Sequence, residues 1–198
     1  ALRTKYPDTE ALASLEIFQA QDTEDWKTLD RLIAAYMVRF PKAHNMQRRH
    51  ARSYVRRGDF NKAIELLSAL QAQGVAQDDD FNNLAWWSLF VGDGVPSERV
   101  LEWATRAASG NEPARVHTLG CVYAAMGRTL LALETFDRLV DGNEKPDLSD
   151  EYLLAEIHRQ LGYTAQAKEI YQRVAKENPD DPDSSGALAR RRLARGNK

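Results

Sequence analysis

Cys121, the only cysteine of the 198-residue chain, follows His117 by four residues. On a helix that spacing places thiol and imidazole on one face. A nucleophile needs its base within hydrogen-bond reach and a third group to orient that base. One such pair on a helix is read as coincidence, and no catalytic residue is expected. The chain has no P-loop, GxSxG or GxGxxG stretch. His44 and His50, six apart, fall on different helix faces, so no i, i+4 metal pair exists. A lone cysteine excludes an internal disulfide and a multi-cysteine zinc site. Three acidic runs, "QDDDF", "PDLSDE" and "ENPDDPD", lack the spacing of a calcium loop. Their expected role is to cap helix N-termini and complement the helix dipole. Neither a metal nor a cofactor is expected.

The elements that carry these residues recur on a clock. Gly58, Gly92, Gly127, Gly162 and Gly196 are separated by 34, 35, 35 and 34 residues. Seven residues before each stands a small residue: Ala51, Ala85, Gly120, Ala155 and Ala189. Four before each come Tyr54, Ser88, Tyr123, His158 and Arg192, so His158 sits in a packing slot. Downstream, Ala63, Ala132 and Ala167 are followed by Leu67, Phe136 and Tyr171, then by Leu70, Leu139 and Val174. Steps of three and four describe one face of an α-helix. Each unit therefore reads as two amphipathic helices joined at the glycine, which accepts positive φ at low cost. Asp59, Thr129 and Thr164 are placed to cap the second helices. Hydrophobic content of 43% with 28% charged residues indicates a globular chain, not a disordered one. A net charge of −2 gives no general argument for nucleic acid or membrane binding. No apolar run is long enough for membrane insertion.

The pattern resembles the tetratricopeptide repeat, whose period is 34 residues. The fullest match is "HTLGCVYAAMGRTLLALETFDRL", with Leu119, Gly120, Tyr123, Gly127, Ala132 and Phe136; the next unit adds Pro179 at the closing position. The fold implied is all-α, a right-handed α-solenoid of stacked antiparallel helix pairs. The chain is expected to be a single array, residues 1–198, with units at 44–77, 78–112, 113–147 and 148–181. A divergent unit at 10–43, with Glu24 in the glycine position, precedes them, and an incomplete or capping helix at 182–198 follows. The unit containing Trp86 and Trp87 has about three extra residues within "GDGVPSERV", and Val100 stands where alanine is expected. "NNLAWWSLF" with "HTLGCVYAAMGR" also resembles the C-terminal repeats of large bacterial proteins that carry a transglutaminase-like domain upstream.

In the family the first helix of each pair lines the concave surface. Carried over, this implies a groove presenting Arg48, Arg52 and Arg56 from one unit and Asn82, Asn83, Trp86 and Phe90 from the next. His117, and then Tyr152 and Glu156, follow from the last two complete units. Basic, amide and aromatic stripes side by side suit a protein or peptide ligand that is acidic or carboxylate-bearing. The packing alternative places Trp86 and Phe90 in the core and pairs the arginines with acids such as Glu16 or Asp30. The basic C-terminus, Arg190, Arg191, Arg192, Arg195 and Lys198, lacks stacking aromatics and is read as a cap, with no nucleic acid as partner. The expected function is a non-catalytic interaction module. The alternative is an intramolecular or homo-oligomeric scaffold segment of a larger protein. Because Ala1 begins the chain, processing from something longer is expected; the cytoplasm is the favoured compartment and the periplasm the alternative.

Overall fold

A computed structural model describes residues 10–140 and 146–196. Eleven α-helices are present among them: α1 (Glu10–Asp22), α2 (Trp26–Arg39), α3 (His44–Arg56), α4 (Phe60–Ala72), α5 (Asp78–Ser88) and α6 (Glu98–Ala107). A short 3₁₀ turn (Ala108–Gly110) leads to α7 (Pro113–Ala125), α8 (Thr129–Val140), α9 (Leu148–Gln160), α10 (Thr164–Val174) and α11 (Ser185–Gly196). Helices α3, α5, α7 and α9 begin at the residues where the 34-residue frame starts. The last first-helix, α11, begins at Ser185, three residues after Pro182.

Each pair packs through its small residues. Ala51, Ala85, Ala155 and Ala189 on the first helices have no exposed surface, and nor have Ala63 and Ala132 on the second. Gly120 is close on two sides: a Cβ there would lie 3.2 Å from Thr135 Cγ2 on its own second helix and 2.5 Å from a methyl of Leu153 on the next first helix, α9. Large side chains, including Leu67, Leu70, Leu84, Trp87, Leu153 and Val174, fill the spaces between pairs in one continuous core. The first helices α5, α7, α9 and α11 also pack on one another in series and so form an inner layer, with the second helices outside. A second, smaller core joins α1, α2 and the start of α3 through Ile17, Leu29, Ile33, Tyr36 and Met46.

The turn glycines take the left-handed conformation, with φ of +76° at Gly58, +57° at Gly92, +74° at Gly127 and +87° at Gly162. Glu24, in the same register of the divergent unit, also has φ of +53°. The backbone requirement of that turn thus survives the loss of glycine, at the steric cost a side chain incurs there. Asp59 caps α4 by accepting the Lys62 N–H at 3.0 Å. The two threonines do not cap as expected. Thr129 Oγ1 donates instead to Gln160 Oε1 on the next first-helix, and Thr164 Oγ1 donates to the Gly162 carbonyl.

The close approach at Gly120 is directly testable. Gly120→Val should destabilise the array by about 1–3 kcal/mol, because Leu153 is fully buried and has nowhere to move. A urea midpoint unchanged from the parent chain would contradict that packing.

Candidate functional site

The three arginines of α3 meet different fates. The Arg48 guanidinium binds Asp80 on α5 through both Nε and Nη2, at 2.9 and 2.8 Å, and also donates to the Val75 carbonyl. Arg52 reaches Asp183, 131 residues later, at 3.1 Å. Arg56 stays exposed, with no carboxylate partner among the described residues. Both acids lie on following elements, not on the preceding helices; Asp30 on α2 is taken by Arg57 and His50. The arginine stripe is therefore largely neutralised from within the chain.

The aromatic residues divide in the same way. Phe90 is buried and stacked on Phe60 at 4.5 Å between ring centroids. Trp87 is buried, yet its indole N–H reaches Asp183 Oδ2 at 2.8 Å. Trp86 is half-buried, lies 5.5 Å from the His117 ring and donates to the Asp183 carbonyl at 2.6 Å. Asn83 is half-buried on α5.

Asp183 belongs to the junction that returns the chain from α10 into α11, and that helix docks across the inner layer. Arg190 ties its start to the Ala175 and Glu177 carbonyls. Arg191 donates to the Phe90 carbonyl, and Arg195 to the carbonyls of Gly92 and Asp93. A Cβ at Gly186 would overlap the Glu177 carbonyl, so only glycine lets α11 settle this closely. The C-terminal arginines are thus anchors turned inward, not a solvated cap; Lys198 lies outside the described residues.

Arg192 completes the docking. Its guanidinium binds Glu156 at 2.6 and 3.1 Å, while Arg159 and the hydroxyls of Tyr152 and Tyr171 converge on the same carboxylate. Burial alone would raise the Glu156 pKa, but the charges of Arg192 and Arg159 and their hydrogen bonds outweigh it and hold the group ionised. Tyr152 and Glu156, expected at the groove surface, are instead buried in the joint between α9, α10 and α11. Removing one member of such a pair leaves an uncompensated buried charge.

His117 and Cys121 do come together, with Sγ 3.4 Å from Nε2. Nε2 also lies 2.9 Å from the Ser149 carbonyl, which can only accept, so Nε2 carries the proton there. It is then no base for the thiol. Burial pushes the Cys121 pKa well up, assisted by Glu156 and Asp150, and burial lowers that of His117. A neutral thiol beside a neutral imidazole is a packing contact, not an activated nucleophile.

A concave cavity of about 830 Å³ runs along the N-terminal ends of α7, α9 and α11. Of the ten expected groove residues only Asn82, Trp86 and His117 line it. Among the described residues its other walls carry the carboxylates of Glu112, Asp147, Asp150, Glu177, Asp181 and Asp183 against a single cation, Arg138. Two lining atoms, Asn82 Oδ1 and Glu177 Oε2, are buried without a hydrogen-bond partner. Asp147 and Asp150 form the capping box of α9. Burial, with the Asp147 charge beside it, raises the Asp150 pKa to about 6. Burial and the charges of Asp147 and Glu151 also raise that of Glu177. The cavity is thus an electrostatically strained, acidic concavity with one indole on its wall. Among the described residues no group of three or more His, Cys, Asp and Glu is placed to hold a metal ion, and no helix is long and apolar enough to cross a membrane.

Comparison with known proteins places this architecture. Residues 152–181 match a tetratricopeptide-repeat family model. A crystal structure of a tetratricopeptide repeat protein from Parabacteroides merdae ATCC 43184 superposes with a TM-score of 0.66 at 15% identity, over 86% of this chain and 67% of that one. This chain has a tetratricopeptide-repeat fold. The MamA protein gives a TM-score of 0.64 at 15% identity, over 84% of this chain and 90% of its own. A thermophilic tetratricopeptide protein of Thermus thermophilus gives 0.58 at 17%, over 94% and 98%. No curated protein matches the sequence.

Within this tetratricopeptide solenoid the cavity residues that the sequence did not single out are Asp147, Asp150, Glu177 and Asp183. The acidic junctions were legible as helix caps, and Asp147 does cap α9. Nothing in linear spacing says that successive junctions converge on one cavity. The strain gives a pH signature. An aspartate whose pKa is raised on folding contributes stability that is complete below its unfolded value, near 4, and is lost as pH rises through about 6. Asp150→Asn keeps an acceptor oxygen and removes the charge. It should raise the thermal midpoint at pH 8 by about 2–4 °C, after allowance for partial exposure, and leave it unchanged at pH 4. An equal shift at both pH values would contradict the assignment.

Proposed function

We propose that the chain is a protein-interaction module that receives a segment of a partner protein in the concave cavity between α5, α7, α9 and the α10–α11 junction. The tetratricopeptide fold is generally a protein–protein interaction module, and its members are typically non-catalytic scaffolds. The observation that carries the reading is the cavity itself. It is built largely from first helices, is walled among the described residues by six carboxylates against one arginine, and has the Trp86 indole on its wall. A lysine or arginine side chain entering there would relieve the repulsion around Asp147, Asp150 and Glu177, with its aliphatic stem on the indole. The α3 arginines that suggested an acidic ligand are answered by Asp80 and Asp183, which favours a basic segment at this cavity.

One further observation supports the scaffold reading. Leu130 and Leu133 on α8 are exposed, Leu130 to 75%, and Leu161 and Tyr163 are exposed at the neighbouring α9–α10 turn. The Thr129–Gln160 bond brings the start of α8 and the end of α9 together, so both sets of exposed apolar residues flank one junction. Such a surface suits contact with another domain or another copy.

A peptide array probed with the intact chain tests the main reading. Bound peptides should be enriched in lysine and arginine, and Glu177→Lys should weaken them at least tenfold. Binders rich in acidic residues, or binding indifferent to Glu177→Lys, would refute it.

A further inference from the structure

One residue is read by the concave face as a bound peptide would be. The Asp183 main-chain carbonyl accepts the Trp86 indole N–H, and its carboxylate accepts the Trp87 indole N–H and the Arg52 guanidinium. Three donors from α3 and α5 thus converge on a single residue about 100 or more positions later in the chain. They recognise both its side chain and its backbone, as peptide-binding grooves do. The seating of α11 does not require this. Gly186, Arg190 and the Glu156–Arg192 pair already fix that helix on α9 and α10.

The electrostatics around the contact call for more acid than the chain supplies. Arg52 remains 51% exposed while paired with Asp183. Arg56 follows one turn later on α3, exposed and without a carboxylate. Arg191 lies over the Phe90 ring, which is stacked on Phe60 just beyond the end of α3. Arg191 and Arg195 donate only to main-chain carbonyls, and burial together with the Arg195 charge lowers the Arg191 pKa. Among the described residues Asp183 is the one carboxylate ion-paired with any of these four guanidiniums.

We propose that Arg52, Trp86 and Trp87 form a recognition site for an aspartate-bearing acidic segment of a partner protein, held filled in cis by Asp183. This site differs in chemistry from the acidic cavity, with which it shares Trp86 and Asp183: it reads an anion with indole and guanidinium donors. The cis segment is tethered, so its effective concentration is high and a free peptide competes poorly until Asp183 is altered.

The probe is a synthetic peptide of the chain's own junction, Glu-Asn-Pro-Asp-Asp-Pro-Asp-Ser, corresponding to residues 177–184. It is titrated into the full chain and followed by tryptophan fluorescence, with circular dichroism confirming that each variant is folded. Asp183→Ala should bind the peptide at least tenfold more tightly than the parent chain. Adding Arg52→Glu to that variant should abolish the gain. A peptide with asparagine in place of the seventh residue should bind at least tenfold more weakly. If folded Asp183→Ala shows no gain, or if the gain survives Arg52→Glu, the contact is only a structural clasp and the proposal fails. A concentration-dependent dimer of the parent chain, lost in Asp183→Ala, would assign the site to a second copy and equally overturn it. Asp183 also lines the acidic cavity, so the two readings are separated by the charge of the peptide bound: basic peptides report on Glu177 and its neighbours, and the acidic junction peptide reports on Arg52.

Discussion

Close approach of paired helices is the constraint from which the remaining structure follows. Fully buried alanines, and Gly120 where a Cβ would crowd Thr135, let each first helix lie against its second with little between them, and at Gly120 the next first helix also comes close through Leu153. Large side chains are excluded from those contacts and fill the spaces between pairs, so successive pairs stack in one core. The left-handed residue at the turn reverses the chain, within three residues in every complete pair but α5–α6, which leaves the first helices together on the inside. The inner layer, the cavity and the docking of α11 are consequences of that geometry.

Charge decides what the inner layer can bind. From α5 onward each junction begins a first helix with carboxylates, where the helix dipole favours them. Because the first helices lie side by side, those caps are brought together, and Asp147 comes to burden both Asp150 and Glu177. The arginines face the opposite problem and meet it with internal partners. Arg48 takes Asp80, Arg52 takes Asp183, and Arg192 takes the buried Glu156. The concave face thus holds an acidic cavity next to a cationic, indole-bearing surface, with the α10–α11 junction forming part of both.

Local physics was readable from the residues, and long-range closure was not. The period, the glycine turns and the small-residue contacts are written in spacing, and Glu24 shows that even a divergent unit keeps the turn's backbone. Asn82, Trp86 and His117 do line the concave cavity, because the helix register that places them is local. Tyr152, Glu156 and Phe90 share that register but are covered, since α11 and its leading junction fold back over the first helices. The degree of curl that brings Asp183 to Arg52 sums small rotations over three units. No single spacing encodes that sum, so the arginine-rich end reads as a solvated cap in the sequence and proves to be the anchor in the fold.

The central claim is that the chain's own C-terminal helix closes the concave face. A distance measurement between spin labels at Asp93→Cys and Ala194→Cys, in a Cys121→Ala background, tests it most directly. Both positions are exposed, and the neighbouring Arg195 contact uses the Asp93 main-chain carbonyl, which the substitution retains. A docked α11 predicts one short, narrow distance distribution. A broad distribution extending to long distances would contradict the account.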